Sequence, residues 1–293
     1  MNFSLDLSFG DDYALDPDAV RDAAGIDRLA DLRDRMVREF PPSSVIGSSP
    51  KRKALTVRLR DSVRKRERLW IIPMTAAERT EWEEWLAPEI LHELGPTQLV
   101  QGDELIPIGI APITLVDFLV ERQTPADIEF LRDALHGIDG LVLTTRVYNE
   151  VLALGIPLIR RTRLMRMLTN PRFIAYVVVL VYSALRVLPV TFVKEFHGSL
   201  VMLWAIDLVT AIPYTWGVLT MVTAPRFRMR FVGMIVTIVT FMAPYIYFGI
   251  HGKHYPPHVI LIIAALILAT FALEGYKMWL DRRNANRLRF KRF

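Results

Sequence analysis

Four apolar stretches, Phe173–Val193, Leu200–Thr223, Phe231–Ile250 and Val259–Leu280, dominate the last part of this 293-residue chain. About 20 helical residues at 1.5 Å rise cross a hydrocarbon core of about 30 Å, and each stretch meets that length. One such run also suits a buried helix of a soluble protein. Four in series, separated by short charged or turn-rich links, call for a bilayer to cover them. The links Lys194–Ser199 and Pro225–Arg230 are short enough to force neighbouring spans antiparallel. The predicted architecture is an all-α transmembrane four-helix bundle made of two helical hairpins.

Flanking charge gives an orientation. One side of the predicted bundle carries fourteen cations: Arg160, Arg161, Arg163, Arg166 and Arg172, then Arg226, Arg228 and Arg230, then Arg282, Arg283, Arg287, Arg289, Lys291 and Arg292. Lys194 and Lys253 are the two on the other side. Such a bias places the arginine-rich side, and with it both termini, in the cytoplasm of a cell (inner or plasma) membrane. Residues 281–293 then form a basic cytoplasmic tail. The first residues, Met1-Asn2-Phe3-Ser4-Leu5-Asp6, lack the basic and apolar regions of a signal peptide, so the N-terminal half is expected to stay cytoplasmic. Residues 156–172 alternate basic and apolar groups. Arg160, Arg161, Arg163 and Arg166 suit contact with an anionic inner leaflet.

The N-terminal half reads as a small, helix-rich α+β cytoplasmic domain. Residues 1–50 are an acidic segment with an imperfect helical stripe over Asp16–Phe40 and a Pro/Ser/Gly linker after it. Residues 51–155 form the domain proper. Its basic opening, Lys51–Leu69, is expected to be a solvated or membrane-touching helix, or to pair with the acids Glu81, Glu83, Glu84 and Glu89. Thr75-Ala76-Ala77-Glu78 is a capping box for a helix predicted to run to about Leu94. Leu105–Ile110 reads as a strand that Pro107 relegates to an edge. Pro125 opens a further helix at its first position. Gly140–Leu143 reads as a strand, and Arg146–Leu154 as a helix.

The absence of cysteine excludes disulfides, thiolate metal sites and cysteine nucleophiles. No phosphate-binding glycine loop, nucleophile elbow or H-E-x-x-H pattern is present. Nucleic-acid binding is disfavoured because the basic residues flank apolar runs instead of interleaving with aromatics. The paired acids of Gly10-Asp11-Asp12 and Gly102-Asp103-Glu104 read as surface turns. His92 and His136 read as surface histidines.

Two constellations carry candidate chemistry. Arg186 and Asp207 fall at similar depth in the first two predicted spans, and intramembrane charges ask for a partner, so an ion pair between them is expected. It either fixes the hairpin or lines a path. His197, His251, His254 and His258 cluster in the predicted outer loops with ligand-like spacing, but Lys253 intervenes and Pro256-Pro257 argues against helical presentation; headgroup-level loop histidines are the simpler reading over a metal site. Pro189, Pro213 and Pro244 interrupt three spans as helix kinks. Glu274 and Lys277 read as an interfacial pair.

The leading functional expectation is a non-enzymatic, membrane-anchored interaction or regulatory protein that needs no cofactor. Its cytoplasmic domain would engage a cytoplasmic or membrane protein partner, and a homo-oligomer is compatible with the bundle. The alternative is a small oligomeric channel or transporter using Arg186 and Asp207. An enzyme acting on lipid or envelope precursors is the third class.

Overall fold

Leu69-Trp70-Ile71-Ile72-Pro73-Met74 forms a strand whose six side chains are all buried. A run without alternation is what a strand covered on both faces looks like. The computed structural model describes residues 14–40, 52–100, 102–159, 162–186, 199–251 and 257–289. It places this strand, β2 (Leu69–Met74), inside a five-stranded sheet with β1 (Val37–Glu39), β3 (His92–Glu93), β4 (Gln98–Val100) and β5 (Asp103–Ile110). The order is β1-β2-β5-β3, with β4 forming a hairpin on the start of β5. β1 runs parallel to β2, and α2 (Arg52–Lys65) lies in the connection that a parallel pair requires.

Alternate residues of β2 feed two cores. Trp70, Ile72 and Met74 join Leu55, Leu59 and Val63 of α2 and the buried faces of α4 (Pro112–Arg122) and α5 (Pro125–Leu135). Leu69 and Ile71 point the other way, into a second core with Leu15, Val20, Leu29, Leu32 and Leu94. Leu288, from the last turns of the chain, is 1% exposed and completes that second core. The compact soluble unit therefore comprises Met1–Arg161 together with Met278–Phe293, and the second unit is Thr162–Lys277. The tail is part of the fold. Asp281 Oδ1 accepts from the Ala30 amide at 2.8 Å, and the Leu15 amide donates to Leu288 O at 2.7 Å.

Several expectations are corrected here. Asp16–Phe40 is not one helix: α1 stops at Ala23, Gly25 adopts a left-handed φ of 59°, and the chain continues through short 3-10 turns into β1. The capping box of Thr75 and Glu78 forms, but its helix, α3 (Ala76–Trp85), ends before Pro88 and does not reach Leu94. The residue before a proline is driven to extended backbone, and Ala87 has ψ 146°. Gly140–Val142 is a 3-10 turn, not a strand. Pro125 begins α5, and α6 (Thr145–Ala153) follows, both as expected.

Pro107 does not consign β5 to an edge, because β5 pairs with β2, β3 and β4. Pro107 faces Pro73 across the β2–β5 register, while its carbonyl accepts from the Leu94 amide at 2.8 Å on the β3 side. Its missing N–H is therefore owed to Leu94 O, and the Asp16 amide supplies that bond at 2.6 Å. A donor from a distant segment makes the central proline tolerable.

Among the described residues, the basic helix α2 is not paired with the acids of α3. Arg79 bonds Glu83 and Glu93 instead, Arg60 donates to the carbonyls of Asp133 and Ala134, and Arg58 lies over Phe40. The buried carboxylate of Glu67 receives both Nε and Nη2 of Arg38, at 2.8 and 2.7 Å, and the Ser62 hydroxyl, which itself accepts from Trp70 Nε1 at 2.8 Å. Burial raises the Glu67 carboxyl, but these donors outweigh it and hold the group below its ordinary value. A depressed folded value gives stability that is present at neutral pH and lost as pH falls through it. Acid titration followed by tryptophan fluorescence should show destabilisation beginning below the reference value of 4.5, with the Glu67→Gln variant showing a flatter acid limb.

The second unit is helical: α7 (Arg163–Leu168), α8 (Pro171–Arg186), α9 (Leu200–Thr223), α10 (Phe227–Ile250) and α11 (Pro257–Arg289), the last running on into the soluble unit. Among the described residues, three helices are long and apolar enough to span a membrane, namely Leu200–Thr223, Phe227–Tyr247 and Val259–Arg289. The first predicted span is represented by the shorter apolar helix α8; residues 187–193 of that stretch lie outside the described residues. Val201, Val209, Val239, Leu261 and Leu268 are exposed on these helices, as lipid-facing positions would be.

α9 and α10 touch through glycine. A Cβ on Gly233 would lie 2.7 Å from Gly217 O and 2.8 Å from Met221 N, so only a hydrogen lets the backbones approach. Gly233→Leu should cost about 1–3 kcal/mol or more by overpacking. In contrast Gly275→Ala, whose Cβ would meet nothing within 4 Å, should be neutral or slightly stabilising. Unfolding in mixed detergent micelles distinguishes the two.

Candidate functional site

Each unit holds a cavity that its own residues shape. In the soluble unit, a cleft of about 440 Å³ opens where β5 passes into α4. β2 runs antiparallel to β5, which brings the α2–β2 turn with Arg66, Glu67 and Arg68 to the same end of the sheet. His92 of β3, the Asp22–Gly25 segment at the end of α1, and Thr144 before α6 complete the rim. Val63, Ile113 and Val142 form an apolar floor.

Charge in the cleft is uneven. Glu67 is spoken for by Arg38 and Ser62, and Asp22 accepts from Arg21. Arg66 and Arg68 are both exposed, and among the described residues neither is paired with a carboxylate. Arg66 holds a left-handed φ of 58°, where a helix usually ends on glycine or asparagine. Arg68 reaches the Gly25 carbonyl at 3.4 Å. The 11-residue helix α4 starts at Pro112 with no side-chain hydrogen bond capping it, and Ala111, Pro112, Ile113 and Thr114 line the cleft, so this uncapped helix end borders it.

Within the helical unit, a smaller cavity of about 270 Å³ is lined by Tyr182 and Ser183 of α8, Asp207, Thr210 and Tyr214 of α9, and Thr240 and Tyr245 of α10. Asp207 is 5% exposed. Arg186 is the last described residue of α8, one turn beyond Ser183 in sequence, and its side chain lies outside the described residues. Pro213 and Pro244 lie inside α9 and α10, which run on through them; each removes the donor to the carbonyl four residues earlier, those of Val209 and Thr240. Pro189 lies outside the described residues.

The most buried ion pair in the described chain is one the sequence does not suggest. Arg230, counted above as a topology flank, is 1% exposed and donates from Nη1 to Glu274 at 2.9 Å and from Nε to the Ala224 carbonyl at 2.7 Å. Glu274 therefore takes Arg230 across helices, a partner that the expected interfacial pairing with Lys277 did not include. The only cue is that both charges border long apolar runs.

Among the described residues, no group of three or more His, Asp or Glu side chains could hold a metal ion. His197 and His254 lie outside the described residues, as does the side chain of His258. His258 nevertheless belongs to α11, which starts at Pro257, so Pro256-Pro257 does not bar a helix: proline is favoured at the first helical position. His251 lies against Tyr247, with Nδ1 at 2.8 Å from its carbonyl. Arg160, Arg161 and the side chains of Arg163 and Arg166 lie outside the described residues. Between those two arginines, Leu164 and Met165 of α7 are exposed. Asp103 and Glu104 sit on the exposed end of β5 after the Gly102 turn.

No family model, curated protein or solved structure matches this chain. Its chemistry has to be read from its own residues.

Sequence reasoning passes over the soluble cleft. His92 reads as an ordinary surface residue, and the basic run around Arg66 and Arg68 reads as a solvated face. The available signal is Pro112 directly after an apolar strand, which marks a strand-to-helix junction.

Proposed function

We propose that this chain is a membrane-anchored regulatory or partner-binding protein. The observation that supports this most is the integration of the last turns of α11 into the soluble core through Leu288, Asp281 and Asn284. A soluble unit whose closing core includes the end of an apolar helix is built to be held at a membrane and to sense that helix. In this reading the chain makes four passes of a cell membrane with both termini cytoplasmic, and it contacts anionic inner-leaflet lipid through residues 156–172. The exposed α/β unit engages a cytoplasmic or membrane protein partner.

Orientation has a direct test, because a chain without cysteine accepts single reporters. In intact cells a membrane-impermeant maleimide should label Ser199→Cys, and it should reach Lys65→Cys only after lysis. The reverse pattern overturns the orientation. Partner engagement is tested by cross-linking the full-length protein in native membranes; a specific adduct mapping to residues 14–159 is expected, and adducts confined to the apolar helices argue against the reading.

One observation favours a second reading, a small channel or transporter: the buried Asp207 in a cavity with tyrosine and threonine hydroxyls. Asp207→Asn should then abolish a flux across liposomes while leaving the protein folded. Unchanged flux excludes a role for this carboxylate.

A further inference from the structure

We infer that the cleft between the α2–β2 turn and the start of α4 is a binding site for a small organic phosphate. Three properties of the cleft select that chemistry. Its size, about 440 Å³, falls in the range of sites that enclose a metabolite-sized ligand. Its two flanking acids are satisfied internally, Glu67 by a two-pronged bond from Arg38 and Asp22 by Arg21, so they do not cancel the guanidinium groups at the rim. Arg66 and Arg68 lie two residues apart on one turn, with His92 across from them, and present planar donors that match phosphate oxygens.

The remaining features say how such a ligand would sit. The phosphate belongs at the Arg66/Arg68 end, where the uncapped start of α4 adds backbone donors to the side-chain charge. The organic portion belongs over Val63, Ile113 and Val142, which would have no use for a bare inorganic ion. Thr114 and Thr144 offer hydroxyls between the two ends. A phosphomonoester reaches such a cleft either as a soluble metabolite or as a lipid headgroup, and the chemistry of recognition is shared.

This inference concerns a small molecule and stands whether or not a protein partner is captured. The test uses full-length protein in phosphatidylcholine nanodiscs, with phenyl phosphate as the probe and inorganic phosphate as competitor, read by equilibrium dialysis. Saturable binding is expected, with inorganic phosphate competing more weakly than the probe binds. Arg66→Gln and Arg68→Gln should each weaken the probe by about ten-fold or more, the scale of a lost charge-assisted hydrogen bond. Arg64→Gln, exposed on the same turn but outside the cleft, should leave binding unchanged. Repeating the titration in discs containing phosphatidic acid separates the sources: displacement of the probe indicates a headgroup ligand, and no displacement indicates a soluble one. Absence of saturable binding, or equal weakening by all three substitutions, overturns the proposal.

Discussion

Glu274→Leu destabilises the helical unit by about 3–5 kcal/mol, the cost of leaving one member of a buried ion pair behind. Arg230 would remain 1% exposed with the Ala224 carbonyl as its hydrogen-bonded acceptor, and its Nη2 already has no hydrogen-bond partner. Replacing both residues with apolar ones, Arg230→Met with Glu274→Leu, should recover most of the loss, since paired removal also deletes the desolvation penalty. Reversible unfolding in mixed micelles measures both. If the double variant is as unstable as the single one, the pair contributes through packing and not through charge. The same pair ties the α9–α10 link to α11, so its loss should also raise protease sensitivity near Ala224.

The second large effect lies at the C-terminal end. Leu288→Ala removes a side chain packed with Leu15, Val20 and Leu29 in the smaller core, and a buried leucine truncated to alanine costs about 2–5 kcal/mol. Asp281→Ala removes the acceptor of the Ala30 amide, and Asn284 donates to the Leu29 carbonyl beside it. Hydrogen exchange should locate the consequence. Amides of Leu15 and Ala30 should exchange faster in both variants, while those of α5, which belong to the larger core, should not change. Uniform exchange across both cores would mean that the tail supports the whole unit. No change at either amide would show that the last turns of α11 are dispensable. A fragment ending at residue 161 would lack these contacts, so partner-capture experiments need the full chain.

What was legible without coordinates was whatever depends on local pattern. The capping box at Thr75, proline at the start of α5 and the long apolar runs are each encoded within a few residues or one continuous window. Those signals gave a mostly helical chain with a small α+β region and membrane-compatible helices. Two of the misreadings come from tertiary context. Pro107 looked like an edge residue because the Asp16 amide that compensates for it is far away in sequence. β2 was missed because a strand covered on both faces loses its alternation.

The candidate sites divide the same way. Asp207 could be singled out from sequence because a carboxylate within an apolar run is conspicuous. Arg230 and Glu274 could not be paired from sequence, since they are 44 residues apart and only the packing of α10 against α11 decides which of their faces meet. Arg66, Arg68 and His92 come together only because β2 and β5 run antiparallel and β3 borders β5.

The apolar stretches by themselves determined that this chain has helices long and apolar enough to cross a bilayer, because hydrophobic length is a property of consecutive residues. Tertiary structure alone decided that the charged end of the last helix is core material for the soluble unit. Leu288 stands among asparagines and arginines that read as a solvated tail, and only the apolar side chains of Leu15, Val20, Leu69 and Ile71, far earlier in the chain, give it a surface to bury against.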